Sequence, residues 1–329
     1  MHGVNKVESP QESATQQLAH LLKAAGDGLR LGILRALSRD SFGVLELSHI
    51  FDCTQSGMSH HLKVLAGAGL VSTRRDGNSI FYRRNNTSAE GELGQLFTAL
   101  HQSIDELSLS ADRQQRIRDI HRQRSRTSRD FFANVGANLK QQQDLIAAFD
   151  VYGGQVAALL KQAPLPGHQS VLEVGPGAGE FLPLLAKRFK SVVALDNAAA
   201  MLEKARSQCE ESGLGNVSFE LADTGYCHKH PSEFDCAVIN MVLHHTPSPQ
   251  QIFRDLGIAL REAGVLLVCE LCHHDQEWTR EACGDLWLGF EAEELAQWAG
   301  ANQFFEGQSS YFALRNGFQI QVREFIKQS

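Results

Sequence analysis

Val171–Leu172–Glu173–Val174–Gly175–Pro176–Gly177–Ala178–Gly179 joins a short apolar run to a glycine turn and the start of a helix pattern. Glycines in such a turn let backbone approach a ligand closely, and a helix start presents unpaired N–H groups. The spacing is G-x-G-x-G preceded by the acidic Glu173, where a dinucleotide site reads G-x-G-x-x-G. Downstream, apolar runs at Val192–Leu195, Val217–Leu221, Phe234–Ile239 and Val265–Leu271 alternate with helix patterns over Glu180–Phe189, Ala198–Ser212 and Pro249–Glu262. This alternation predicts a doubly wound α/β unit, a parallel sheet with helices on both faces. Ser310–Leu314 and Phe318–Phe325 flank Asn316–Gly317, a hairpin signal, so the sheet is expected to finish in an antiparallel pair.

The strand after the glycine turn ends at Asp196–Asn197, about 20 residues on, where a carboxylate accepts both ribose hydroxyls of a nucleoside. The next leads to Asp223–Thr224, with Asp223 placed to accept from an adenine amino group. Residues 146–329 resemble the class I S-adenosylmethionine-dependent methyltransferases, whose fold is Rossmann-like. Phe234–Asp235–Cys236–Ala237–Val238–Ile239–Asn240, Val242–Leu243–His244–His245 and Leu260–Arg261–Glu262–Ala263–Gly264 extend the match. The resemblance implies S-adenosylmethionine or S-adenosylhomocysteine as ligand. It implies that Glu173, Gly175, Gly177, Gly179, Asp196, Asn197, Asp223, Thr224 and Asn240 hold it. Two departures stand out: Pro176 removes one N–H from the turn, and Ala263–Gly264 replaces a common glycine pair.

His244 and His245 read as strand-end caps in preference to general bases. His273, His274 and Asp275 follow the fifth strand at the edge where ligands bind, and are the candidates for catalysis or substrate contact. Cys269, Cys272, His273, His274 and Cys283 bring metal ligation to mind. A strand alternates its faces, however, so Cys269 and Cys272 need not converge, and no metal site is expected.

The front of the chain reads differently. Helix patterns run from Gln16 to about Ser38, broken at Asp27–Gly28, and over Gly43–Ile50. After the turn Phe51–Cys53, Thr54 caps a helix to about Ala66. Two strand-like runs, Val71–Arg75 and Ser79–Arg83, enclose Asp76–Gly77–Asn78, and Gly91–Leu109 is helical again. Leu47, Ile50, Met58, Leu62 and Leu65 are spaced to bind two helices of a helix-turn-helix together. That leaves Gln55, Ser56, Ser59, His60 and Lys63 on the open face, equipped to read base edges, with Arg74 and Arg75 on the hairpin for phosphates.

Leu29–Leu34, Ser56–Leu65, Gly69–Val71 and Arg74–Gly77 make residues 18–107 resemble the ArsR-type winged-helix repressors. The resemblance implies a homodimer on double-stranded DNA, paired through the first and last helices, with the Leu93–Leu107 stripe as the face. The metal-sensing branch of that family carries thiolates on the helix before the recognition helix. Here that helix has no cysteine, and Cys53 sits alone in the turn.

Composition agrees with two partners. Residues 1–130 hold 17 Lys and Arg against 14 Asp and Glu, a net +3, while residues 131–329 hold 14 against 24, a net −10. Nucleic acid is thus a partner for the front alone. No apolar run approaches a membrane span, residues 1–10 lack a signal-peptide core, and seven scattered cysteines read as reduced thiols, so a cytoplasmic protein is expected. The expected domains are 1–109 for DNA binding and dimerisation, 110–145 as a polar helical connector, and 146–329 as the methyltransferase-like unit. The layout resembles repressors of methionine-cycle genes that respond to S-adenosylhomocysteine. The leading expectation is such a regulator. The alternatives are an active small-molecule methyltransferase that regulates its own gene, and a metalloid-responsive repressor.

Overall fold

A computed structural model of the chain describes residues 10–77, 79–85, 92–134 and 144–328. Residues 1–9 lie outside the described residues. So do Asn78, Gly91 and residues 135–143 of the expected connector, and of the Leu93 side chain nothing is described. The chain divides into two compact units, Met1–Ile120 and His121–Ser329.

The first unit holds α1 (Pro10–Ala25), α2 (Gly28–Ala36), α3 (Val44–Phe51), α4 (Gln55–Gly67) and α5 (Glu92–Asp105). Its small antiparallel sheet has β3 (Ser79–Arg84) between β1 (Phe42–Gly43) and β2 (Val71–Asp76). Asp27 separates α1 from α2 by capping, its Oδ1 accepting from Arg30 N at 2.9 Å. Thr54 caps α4 in the expected way, with Oγ1 accepting from Gly57 N at 3.2 Å. Asp52, at φ 54°, turns the chain between α3 and α4. Leu47, Ile50, Met58, Leu62 and Leu65 are fully buried, as their spacing requires. β1 has two residues, too short for any period, and only its pairing of Phe42 with Tyr82 and Gly43 with Phe81 reveals it.

α6 (Ala111–Asn134) contains the boundary between the units. The stretch expected as a polar helical connector thus contributes residues to both units. Ile117 and Ile120 pack on the core of the first unit, Arg116 Nη1 donates to His49 O at 2.7 Å, and Arg113 lies 4.8 Å over the Phe51 ring. Beyond the boundary, Arg124 Nη1 donates to Pro247 O at 2.9 Å and its guanidinium covers the Trp287 ring.

The second unit starts its sheet at β4 (Ser170–Val174), preceded by α7 (Phe149–Gln162). β5 (Ser191–Asp196), β6 (Val217–Leu221), β7 (Phe234–Asn240) and β8 (Leu260–Leu271) follow in parallel, with α8 (Leu182–Arg188), α9 (Ala199–Glu211) and α10 (Pro249–Ala259) between them. β9 (Phe304–Ala313) and β10 (Gln319–Lys327) close the sheet, giving the order β6-β5-β4-β7-β8-β10-β9 with both final pairings antiparallel. This is the doubly wound sheet with a terminal hairpin. Its strand order reverses direction beside β4, the crevice where such sheets bind ligands.

Three differences from the expected elements have clear causes. Leu260–Gly264 is rich in helix formers, yet it opens β8, because Leu260 pairs with Phe234 and Ala263 turns at φ 57°. α11 (Trp278–Cys283) and α12 (Ala292–Gly300) occupy a stretch with no expected element. A signal for α12 was present: Glu291 and Glu294 form a capping box ahead of Leu295, Trp298 and Ala299. Among the described residues no helix is long and apolar enough to cross a membrane.

Candidate functional site

A cavity of about 900 Å³ opens in the second unit at the C-terminal ends of β4, β5, β6 and β7, and α6 residues His121 to Phe132 form part of its wall. Apolar runs bury the strands and leave their last, polar residues at the crevice. Glu173, near the end of β4, is buried; its Oε1 accepts from Asn240 Nδ2 at 3.4 Å and its Oε2 has no partner. Burial pushes this carboxyl up to about 8, with the Asn240 bond opposing. Asp196 ends β5, and its Oδ1 accepts from Ala198 N at 2.8 Å. Burial raises this carboxyl to about 6 against the pull of the Ala198 and Asn197 N–H groups. Asp223 is exposed and caps a short turn by accepting from Gly225 N at 2.9 Å, while Thr224 Oγ1 donates to Asp255 Oδ2 at 2.6 Å.

The structure brings eight of the nine expected ligand residues to this cavity: Glu173, Gly175, Gly177, Asp196, Asn197, Asp223, Thr224 and Asn240. Gly179 does not line it. A Cβ on Gly179 would sit 3.0 Å from Ala205 Cα, so this glycine lets the turn pack against α9. Gly175, at φ 66°, has no room either, because a Cβ would meet Val242 Cγ2 at 2.5 Å. Gly177, at φ 57°, faces no protein atom within 4 Å.

His273, His274 and Asp275 do not line the cavity. After β8 the chain pairs with the segment before α12: Cys272 bridges Phe290 and His274 N donates to Leu288 O at 3.1 Å. His274 then packs edge-on to Phe318, and His273 lies 3.6 Å from Glu291.

Sequence spacing also missed a buried group on the wall. His244 and His245 occupy a short turn after β7, and both line the cavity together with Cys283 and Phe132. His244 Nδ1 lies 2.5 Å from Glu270 Oε1. Burial alone pushes this imidazole down, but the Glu270 and Asp285 carboxylates outweigh it and hold it at about 9. His245 goes the other way, pushed well down by burial and by neighbouring His244. Glu270, a charge inside the otherwise apolar run Val265–Leu271, was the available signal.

In the first unit Gln55, Ser56, Ser59, His60 and Lys63 are all exposed along α4, on the side away from Met58, Leu62 and Leu65. The wing arginines differ. Arg75 is exposed, whereas Arg74 Nη2 lies 2.7 Å from Asp76 Oδ2, whose side chain is fully buried.

The two units together define a class: a winged helix-turn-helix domain joined to a domain of methyltransferase fold. A helix-turn-helix domain family matches residues 25–74, and a methyltransferase domain family matches residues 166–307. The arsenical resistance operon repressor of Staphylococcus aureus is 38% identical over 71 residues, 22% of this chain and 68% of that one. In its helix-turn-helix unit the chain belongs to the family of that repressor. The trans-aconitate 2-methyltransferase of Variovorax paradoxus is 35% identical over 112 residues, 33% of this chain and 41% of that one. The chain spans less than half the length of the curated small-molecule methyltransferases it matches. In fold, the second unit is similar to a chain from the complex of the Haloferax volcanii Trm112 methyltransferase activator with a methyltransferase. The TM-score is 0.51 at 14% identity, over 61% of this chain and 98% of that one.

Proposed function

We propose that this protein is a DNA-binding transcriptional repressor whose methyltransferase-fold unit senses S-adenosylhomocysteine or S-adenosylmethionine, and that it controls methionine-cycle genes. The observation that carries this reading is α6. Its Ile117 and Ile120 belong to the core of the winged-helix unit, while its Arg122, Ser125, Arg129 and Phe132 line the cavity that would take the ligand. A ligand shifts DNA affinity only if it binds the DNA-competent and incompetent states unequally. A helix belonging to one core and one binding wall is a direct means of biasing both. The α4 face carries the base-reading groups, and a homodimer through α1 and α5 would set half-sites about one helical turn, ~34 Å, apart. Seven free cysteines fit a reducing cytoplasm.

The test is a full-length titration. A duplex selected from a random pool by the protein is titrated in the presence of S-adenosylmethionine or S-adenosylhomocysteine. A shift of about 5- to 150-fold in Kd with one of them is expected, and its loss in Asp196→Ala. Unchanged DNA affinity with both ligands overturns the sensor.

A second reading, an active small-molecule methyltransferase with an autoregulatory front domain, is favoured by the cavity. At about 900 Å³ it lies near the upper end for small-molecule sites, with room for an acceptor beside the nucleoside. Turnover of S-adenosylmethionine with an added acceptor would decide for it. Metalloid control has less support: α3 holds no cysteine, and burial beside Asp52 pushes the Cys53 thiol up, away from the reactive thiolate.

A further inference from the structure

Three buried side chains of the second unit bring metal-ligating atoms close together. Ring nitrogens of His244 and His245 and a carboxylate oxygen of Asp285 lie within 4.8 Å of one another. Among the described residues this is the one such gathering of three metal-ligating side chains. Asp285 is 3% exposed, and the charge nearest its Oδ1 is the His244 imidazole at 3.9 Å. A metal ion shared by the carboxylate and both imidazoles would neutralise this buried group more closely than the ring does. Nearby Arg280 turns its Nη1 to the backbone oxygens of Leu286 and Asp285.

Each imidazole is held at one nitrogen and open at the other. His244 Nδ1 faces Glu270 Oε1, which leaves Nε2, 3.9 Å from Asp285 Oδ1. Glu270 is itself fixed, accepting from Leu271 N at 2.7 Å and His244 N at 3.3 Å. His245 Nδ1 lies 3.2 Å from Gly284 O; a carbonyl only accepts, so Nδ1 carries the proton and Nε2 keeps its lone pair. Metal-bound histidines characteristically give their second N–H to a carboxylate or a backbone carbonyl, and both partners are present here.

We propose that His244, His245 and Asp285 bind one divalent ion of the zinc class, with Glu270 and the Gly284 carbonyl orienting the two imidazoles. Two imidazoles and a carboxylate suit such ions. Bonds of about 2.0–2.1 Å in a tetrahedron place donors about 3.4 Å apart. His244 Nε2 lies 3.9 Å from Asp285 Oδ1, within a small shift of that spacing, and the three side chains offer ligating atoms within 4.8 Å of one another. Three protein ligands leave one position. Because both histidines line the cavity, that position takes water or an oxygen of a small molecule held there. This inference stands apart from the sensor reading, since it needs neither DNA nor nucleoside.

The experiment uses the untagged full-length chain, stripped with chelator and titrated with Co²⁺ and then Zn²⁺. One ion per chain is expected. Co²⁺ should give the ligand-field spectrum of a low-coordinate nitrogen and oxygen site, without a thiolate charge-transfer band. Asp285→Asn and His245→Gln should each weaken binding 100-fold or more, and Glu270→Gln about 10- to 100-fold. Cys272→Ser should change nothing. Absence of stoichiometric binding, a thiolate band, or unaltered affinity in folded Asp285→Asn overturns the proposal. If circular dichroism shows that variant unfolded, the wild-type stoichiometry and spectrum decide alone.

Discussion

Glu173 and Asn240 meet near the ends of the neighbouring strands β4 and β7: Asn240 Nδ2 donates to Glu173 Oε1 at 3.4 Å. That bond leaves Glu173 Oε2 buried without a partner and Asn240 Oδ1 likewise. The pair lines the cavity, and the carboxyl, pushed up to about 8 by burial, holds its proton at neutral pH.

Glu173→Gln is therefore expected to stabilise the unliganded protein at alkaline pH. The folded pKa, about 8, lies above the ordinary 4.5, so the native state holds the proton more firmly. The stability this gives wild type is fully present below pH 4.5 and is lost as pH rises towards 8. The loss is at most on the order of 3–5 kcal/mol. Urea unfolding followed by tryptophan fluorescence reports the second unit alone, because Trp278, Trp287 and Trp298 all lie in it. A variant no more stable at pH 8.5 than at pH 5, relative to wild type, contradicts this account.

Asp196 predicts a separate pH dependence, for binding. Its carboxyl sits at about 6 because of burial, and only the ionised form accepts both ribose hydroxyls well. A nucleoside without an amino acid, methylthioadenosine, should bind about tenfold more weakly at pH 5 than at pH 7 and show no further change above it. If S-adenosylhomocysteine offers its ammonium to Glu173, its affinity should go on rising towards pH 8. Calorimetric titration of both ligands checks the pair of profiles; parallel profiles would remove Glu173 from the ligand site.

These groups were legible in the sequence to different degrees, and the reasons are physical. β4, β5 and β7 are almost wholly buried, so each reads as a mainly apolar run, and the polar residue at or next to its end, Glu173, Asp196 or Asn240, marks the crevice. Spacing alone does not separate Gly177 from Gly179, since one faces open space and the other faces α9. Nor does it join His244 to Glu270 and Asp285, which only tertiary packing brings together from 26 and 41 residues away. The polarity of α6 reads as a solvated connector, because Arg113 and Arg116 help Ile117 and Ile120 to seat its front half.

Gly177→Ala and Gly175→Ala should part company. Gly177 has space for a methyl group and sits near the left-handed helical region, so alanine costs about 1 kcal/mol in backbone strain and leaves the fold intact. If a ligand's backbone contacts fill that space, affinity for S-adenosylhomocysteine falls at least tenfold in the folded variant. Gly175→Ala collides with Val242 and should lower the stability of the unit as well. Full ligand affinity in Gly177→Ala would mean that the ligand approaches elsewhere.

The wing gives the last prediction, on DNA. Arg75 is exposed, its Nε donating to Gly77 O at 3.2 Å, so Arg75→Ala should change thermal stability little. It should weaken all duplexes alike and reduce the salt slope of log Kd by about 1, the loss of one phosphate contact. Arg74 carries a second duty. Removing it takes an ion-pair partner from the fully buried Asp76 carboxylate, and breaking a buried pair from one side costs up to about 3–5 kcal/mol. Arg74→Ala should thus destabilise the winged-helix unit, and Arg74→Ala with Asp76→Asn should recover most of the loss. Gln55→Ala and His60→Ala, exposed on α4, should instead change which sequences are preferred while leaving both stability and salt slope near wild type. Differential scanning calorimetry and salt-dependent binding to selected and random duplexes separate the three classes. An Arg74→Ala protein as stable as wild type, with the same salt slope as Arg75→Ala, would show that both arginines serve phosphate alone.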